Sequence, residues 1–245
     1  MPEAASKNFV DGREISGARL VSLLNRADEM KAGRPEVAGS SLTGKSIALI
    51  FEKPSTRTRI SFEVGIAELG GHGVILRSDE LQLSRGESIE DTARVMSRFV
   101  YGIVIRSGSD QHVSKLAEHA SVPVVNALTP LYHPCQALAD LLTLKERFGG
   151  LDGLKVAYVG DGNNVARSLA IAGSLTGVEV VVAAPEGYQL ESDAPARLTD
   201  DPIQLHDRAH AELEDLLHGH AGPTDLDRDR HAHIEQRVER VALGR

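Results

Sequence analysis

Ser46-Ile-Ala-Leu-Ile-Phe51, followed at once by Glu52-Lys-Pro-Ser-Thr-Arg-Thr-Arg59, decides the fold of this 245-residue chain. Six almost uninterrupted apolar residues are what a strand covered on both faces requires, and Pro-Ser-Thr is the chemistry of a turn that opens a helix. Strand, short loop and helix make half of a βαβ unit, so the pattern should recur along the chain. It does: apolar runs at Gly73–Leu76, Gly102–Ile105, Val122–Val125, Lys155–Val159 and Val178–Ala183 alternate with helical segments. The helices are expected near Thr58–Leu69, Ile89–Arg98, His112–His119, Pro134–Phe148 and Val165–Leu175, after an amphipathic opening helix around Ser16–Lys31. The reading is α/β, with two domains of parallel sheet flanked by helices.

Phe148-Gly-Gly-Leu-Asp-Gly153 interrupts the periodicity between a long helix and a new strand, which places a domain boundary near Gly149. The units are then 1–149 and 150–245, and the second is expected to be incomplete. Only two strand signals fall in it, and from about residue 201 the β-branched runs give way to Asp, Arg, His, Leu and Glu. Six of the ten histidines lie between His206 and His233. Leu205, Leu213, Leu216 and Leu217 leave room for one more amphipathic helix.

Composition narrows the class of function. A chain of this length buries roughly 70–75% of its unfolded surface, enough for one or two ordinary cores. The net charge of -8 argues against nucleic acid as a partner and allows a local cationic pocket for a small anion. One cysteine permits neither an intrachain disulfide nor a cysteine-based zinc cluster. No apolar run is long enough for a membrane span and the first residues carry no signal core, so the cytoplasm is the expected location.

Three stretches carry chemistry. At Ser55-Thr-Arg-Thr58 a helix start supplies free N–H groups and the positive end of its dipole, hydroxyls add donors, and Arg57 adds a planar fork for phosphate oxygens. An ordinary capped helix with solvated arginines reads equally well there. Arg106 ends a strand at the edge where open α/β sheets bind ligands, although most such arginines are surface residues. His133-Pro-Cys-Gln136 opens a helix with an imidazole able to donate to a polarised carbonyl and an amide suited to an NH2 group. Cys135 reads as a packing residue.

Taken together, Ser-Thr-Arg-Thr-Arg, a strand-ending arginine and His-Pro-x-Gln resemble the aspartate and ornithine carbamoyltransferase superfamily. Gln82-Leu-Ser-Arg-Gly-Glu-Ser-Ile-Glu-Asp-Thr-Ala-Arg-Val95, Ala137-Leu-Ala-Asp-Leu-Leu-Thr-Leu144 and Val159-Gly-Asp-Gly-Asn-Asn-Val165 are similar to its ornithine branch, and the resemblance runs from about Val10 to Tyr188. It implies transfer of the carbamoyl group of carbamoyl phosphate to the side-chain amine of L-ornithine, giving L-citrulline and phosphate, with no cofactor and no metal. By resemblance, Ser55, Thr56, Arg57 and Thr58 form the carbamoyl-phosphate loop, with Arg57 on the phosphate and Thr58 beside the carbamoyl oxygen. Arg106 and His133 polarise that oxygen, Gln136 holds the carbamoyl nitrogen, and Asn164 binds the amino-acid end of ornithine. Gln82 matches the residue that reaches into a neighbouring subunit's site, which implies a homotrimer.

The chain also departs from the pattern. The family's Asp-x-x-x-Ser-Met-Gly and His-Cys-Leu-Pro motifs are not found, and Arg167 stands where histidine or asparagine is expected. If Asp225-Leu-Asp-Arg228 is encoded GAC-CTG-GAC-CGN, a one-base shift reads Thr-Trp-Thr, similar to the missing loop. These departures support an alternative: a truncated or degenerate relative that only binds carbamoyl phosphate. Two further readings are a dinucleotide loop at Gly160-Asp-Gly162, which lacks the third glycine, and a metal site from His218, His220, His231 and His233, which lacks supporting ligands.

Overall fold

The computed structural model describes residues 6–34, 40–77, 80–81 and 86–200. Its elements run α1 (Gly17–Ala32), β1 (Ser46–Phe51), α2 (Thr56–Glu68), β2 (His72–Arg77), α3 (Ile89–Met96), β3 (Gly102–Arg106), α4 (Asp110–His119), β4 (Val124–Leu128), α5 (Pro134–Phe148), β5 (Lys155–Val159), α6 (Asn164–Thr176), β6 (Glu179–Ala183) and β7 (Arg197–Thr199). The first four strands form one sheet in the order β2-β1-β3-β4 and the last three a second in the order β5-β6-β7; all pairs are parallel. The α/β reading with two parallel sheets is therefore correct.

The order of the first sheet fixes where a ligand can enter. From β1 the chain crosses α2 to β2 on one side, and then returns through α3 to β3 on the other side of β1. The crossovers diverge between β1 and β3, so a crevice opens beyond their carboxyl ends. Continuous apolar β1 is buried over five of its six residues, as a strand with helices on both faces must be. One core, with Ala48, Ile50, Ile103, Ile105, Val113 and Leu116, covers one face, and Leu49, Phe51, Ile66 and Val104 fill the other.

Two expectations require correction. The second sheet has three strands among the described residues: Arg197-Leu-Thr199 pairs with β6 through Val181, Val182 and Ala183. A three-residue strand with charged and polar members shows no apolar run, so its neighbour's free edge rather than its own composition defines it. Helix α2 begins at Thr56, not Thr58, because Ser55 caps it and lets Thr56 and Arg57 take the first helical positions. The residues around His206–His233 and Asp225–Arg228, with the readings made on them, lie outside the described residues.

The third core joins α1 and α5 to the helix and strands of the second sheet. Leu20 and Leu24 of α1 and Ala137 and Leu141 of α5 pack with Ala166, Leu169 and Ala170 of α6 and with Val180 and Val182 of β6. Gly17 permits the closest approach: a Cβ there would sit 1.9 Å from the Leu175 carbonyl oxygen. No described helix is long and apolar enough to cross a membrane.

Candidate active site

The crevice is built from the loops that leave β1, β3 and β4. Ser55 caps α2, its Oγ accepting the Thr58 N–H at 3.4 Å and donating to Thr58 Oγ1 at 2.9 Å. Arg106 ends β3, where the register against β4 slips between Ile105 and Arg106. Such a bulge re-aims the side chain that follows it, and Arg106 Nη1 donates to Thr58 Oγ1 at 3.2 Å. The strand-ending arginine and the cradle loop, 48 residues apart, are thus brought together. Arg57 is exposed and holds no partner among the described residues.

Glu52 ties the loop to its neighbour. Its carboxylate accepts the Ser107 hydroxyl and the Gly108 N–H, the latter at 3.3 Å, and lies 2.9 Å from His112 Nδ1. The β1 loop is thereby braced against the start of α4. No local sequence signal announces this contact, because its partners come from another crossover.

His133 stands at the N-terminus of α5 and its backbone N–H donates to Ser168 Oγ at 2.7 Å. Burial, and then the nearby Arg106 charge, hold its imidazole pKa down at about 4, so the ring is neutral at pH 7. His133 Nδ1 and Arg106 Nε are both buried without a hydrogen-bond partner. Unsatisfied buried polar atoms are rare, and two of them on side chains close enough for the charge of one to act on the other point to a place where something else binds. Cys135 is different: burial pushes its thiol up to about 12, which leaves it protonated and unreactive.

Gln136 and Asn164 are also near the crevice, each already partly engaged. Gln136 Nε2 donates to Asp140 Oδ1 at 2.9 Å, and Asn164 Nδ2 donates to the Thr129 carbonyl at 2.7 Å, joining α6 to the end of β4. Thr56 is exposed in the first turn of α2 and lines, with Glu52, Ser55, Arg59 and Arg77, a cavity of about 640 Å³. Gln82 lies outside the described residues. Among the described residues no cluster of histidine, cysteine and carboxylate side chains is arranged to hold a metal.

The Gly160–Gly162 loop is closed. Gly162 N–H donates to the Tyr188 carbonyl at 2.7 Å, and a Cβ at Gly162 would lie 2.4 Å from Leu190 N. The chain's own backbone occupies the space that a pyrophosphate would need, so the dinucleotide reading fails. Arg167 is buried nearby, its side chain 5% exposed, and pairs with Asp193 at 2.7 Å and Glu191 at 2.8 Å. Its guanidinium lies 5.9 Å from the centre of the Tyr132 ring. The residue that departs from the expected pattern thus fastens α6 to the 191–193 segment.

Comparison with known proteins places this geometry. The family model for the aspartate/ornithine carbamoyltransferase carbamoyl-P binding domain matches residues 7–146, and that for the Asp/Orn binding domain matches residues 152–216. The chain belongs to the aspartate/ornithine carbamoyltransferase family. The match extends beyond Tyr188, where the resemblance by motif stops. A carbamoyltransferase-family relative, the ornithine carbamoyltransferase of Acidothermus cellulolyticus, is 52% identical over 195 residues, 79% of this chain and 62% of its own length. That of Methanocorpusculum labreanum is 44% identical over 215 residues, 84% of this chain and 70% of its own length. The crystal structure of ornithine carbamoyltransferase from Thermus thermophilus superposes with a TM-score of 0.76 at 46% identity, covering 81% of this chain and 70% of that one. The chain spans about three fifths to seven tenths of the length of these carbamoyltransferase relatives.

Proposed function

We propose that the chain transfers the carbamoyl group of carbamoyl phosphate to the side-chain amine of L-ornithine. The observation that carries this reading is the convergence of unpartnered Arg106 Nε and His133 Nδ1 beside the open N-terminus of α2, with Arg57 free at its first turn. In the proposed reaction the amine nitrogen attacks the carbamoyl carbon, the bond to the phosphate oxygen breaks, phosphate leaves with that electron pair, and the nitrogen loses a proton. Negative charge grows on the carbamoyl oxygen as the amine adds. Arg106, Thr58 and neutral His133 are the donors placed for that oxygen, and Ser55, Thr56 and Arg57 those for the phosphate. Fixed donors act where charge develops, so they lower the barrier more than they tighten ground-state binding. Gln136 faces the carbamoyl nitrogen and Asn164 the amino-acid end of ornithine. Residues 1–149 form the carbamoyl-phosphate unit and 150–245 the acceptor part of a cytoplasmic enzyme. Phe99 and Tyr101, 77% and 60% exposed, favour self-association, with Gln82 completing a neighbour's site in a homotrimer.

A second reading is favoured by one observation: the chain spans only 62% of the length of the Acidothermus relative. It is a relative that binds carbamoyl phosphate without turning it over. Citrulline formation by the purified chain, with carbamoyl-phosphate binding followed calorimetrically on the same sample, separates the two. Turnover of about 1–1000 per second supports transfer. Binding without citrulline supports the second reading, and absence of both sinks each. Sedimentation of the same sample tests the trimer.

A further inference from the structure

Helix α5 holds a pair whose two members fall in neighbouring motifs but whose contact neither motif shows. Gln136 and Asp140 are four residues apart, so their side chains share one face of the helix. Gln136 Nε2 donates to Asp140 Oδ1 at 2.9 Å, and Gln136 Oε1 accepts nothing among the described residues. A primary amide has two chemically different ends that look almost alike in shape, and a rotation by half a turn exchanges them. An ionised carboxylate only accepts hydrogen bonds. Beside Asp140, therefore, one orientation of the amide is favoured, with NH2 toward the carboxylate and Oε1 turned away.

That choice has a chemical consequence three residues from His133. A free Oε1 is an acceptor and rewards a ligand that brings N–H groups; a free NH2 would reward a carbonyl or another acceptor. We propose that Asp140 is a specificity-determining positioning residue, which by holding Gln136 Nε2 presents Gln136 Oε1 to the ligand and so selects a carbamoyl over an acetyl group. This rests on the reading of the crevice as a carbamoyl-phosphate site. Carbamoyl and acetyl phosphate are mixed anhydrides of similar shape, and NH2 against CH3 is the difference between them. Asp140 touches neither. It acts through Gln136, and partial burial keeps water from competing for the contact: desolvation raises its pKa while the Gln136 hydrogen bond lowers it.

The test compares two stable phosphonates, phosphonoacetamide and acetonylphosphonate, which differ by the same NH2-for-CH3 exchange. Their dissociation constants are measured by calorimetry on the full chain and on Asp140→Asn, an isosteric change that supplies a donor and lets the amide turn. The unaltered chain should prefer the amide by roughly tenfold, the effect of one hydrogen bond. In Asp140→Asn that preference should fall to about one, with acetonylphosphonate affinity changed less than twofold. A retained tenfold preference in the variant overturns the proposal, and so does equal weakening of both ligands, which is what a merely structural role would give. If Asp140→Asn is unfolded at the assay temperature, Asp140→Ser is read in the same way, because its hydroxyl both donates and accepts and so removes the constraint. Failure of the unaltered chain to bind either phosphonate overturns the carbamoyl-phosphate reading itself, an outcome distinct from binding both without preference.

Discussion

The β1–α2 and β5–α6 junctions are built alike and used differently. Each runs from a parallel strand through a short loop into a helix capped by a side chain: Ser55 Oγ accepts from Thr58 N–H at 3.4 Å, and Asn163 Oδ1 accepts from Val165 and Ala166 N–H at 2.9 and 3.3 Å. At the first, unpartnered groups of Arg106 and His133 come together, and a separate cavity that neither of them lines stays open beside Ser55 and Thr56. At the second, residues 188–190 lie on Gly162, and Asn164 commits its Nδ2 to the Thr129 carbonyl. Both helix starts offer a positive dipole end. What makes the first a candidate phosphate site is the set of groups brought to it by other strands, since a dipole end already covered by backbone leaves no room for an anion.

Breaking the convergence should have the largest effect. Arg106→Ala is expected to lower citrulline turnover by about 10²–10³, the usual result of removing a fixed donor from a developing oxyanion, while the same substitution at Arg57 should weaken carbamoyl-phosphate binding instead; steady-state kinetics with calorimetry distinguish them. Next comes the covered loop. Gly162→Ala forces a methyl group onto Leu190 N and should cost about 1–3 kcal/mol of stability in denaturant unfolding, with carbamoyl-phosphate affinity unchanged. If affinity falls with stability, the two junctions are not independent.

Exchanging the caps sharpens the contrast further. Ser55→Ala and Asn163→Ala should each cost about 1 kcal/mol, but only the first should also weaken phosphate binding, measured with inorganic phosphate. The smallest effect is in pH dependence. With its folded pKa near 4 and an ordinary value near 6.5, His133 is protonated first in the unfolded chain. Its contribution is complete above pH 6.5 and is lost as pH falls toward 4. Urea midpoints for His133→Gln should therefore decline less between those pH values than midpoints for the unaltered chain. Partial solvent screening of the half-buried ring keeps the difference small.

Much of this was legible along the chain, for identifiable reasons. β1 declares itself because a strand covered on both faces has no choice but to be apolar, and the cradle declares itself because phosphate recognition reuses a few residue types. The bulge that turns Arg106 toward Thr58 has no such signature: it exists only in the register between two strands. Arg197-Leu-Thr199 is a strand because β6 offers an edge, and Glu52 is a brace because His112 starts another helix. Asp140 could have been found, since four-residue spacing from Gln136 on a helix is a local signal.

The shared core has a consequence for how the chain is made. Leu20 and Leu24, 1% and 2% exposed in the finished fold, are covered partly by α6, whose first residue is Asn164. At 5–20 residues per second the ribosome delivers that partner roughly seven to thirty seconds after α1 has left the exit tunnel. During that interval the nascent helix carries an uncovered leucine stripe, so α1 is the segment that stays longest without its native cover.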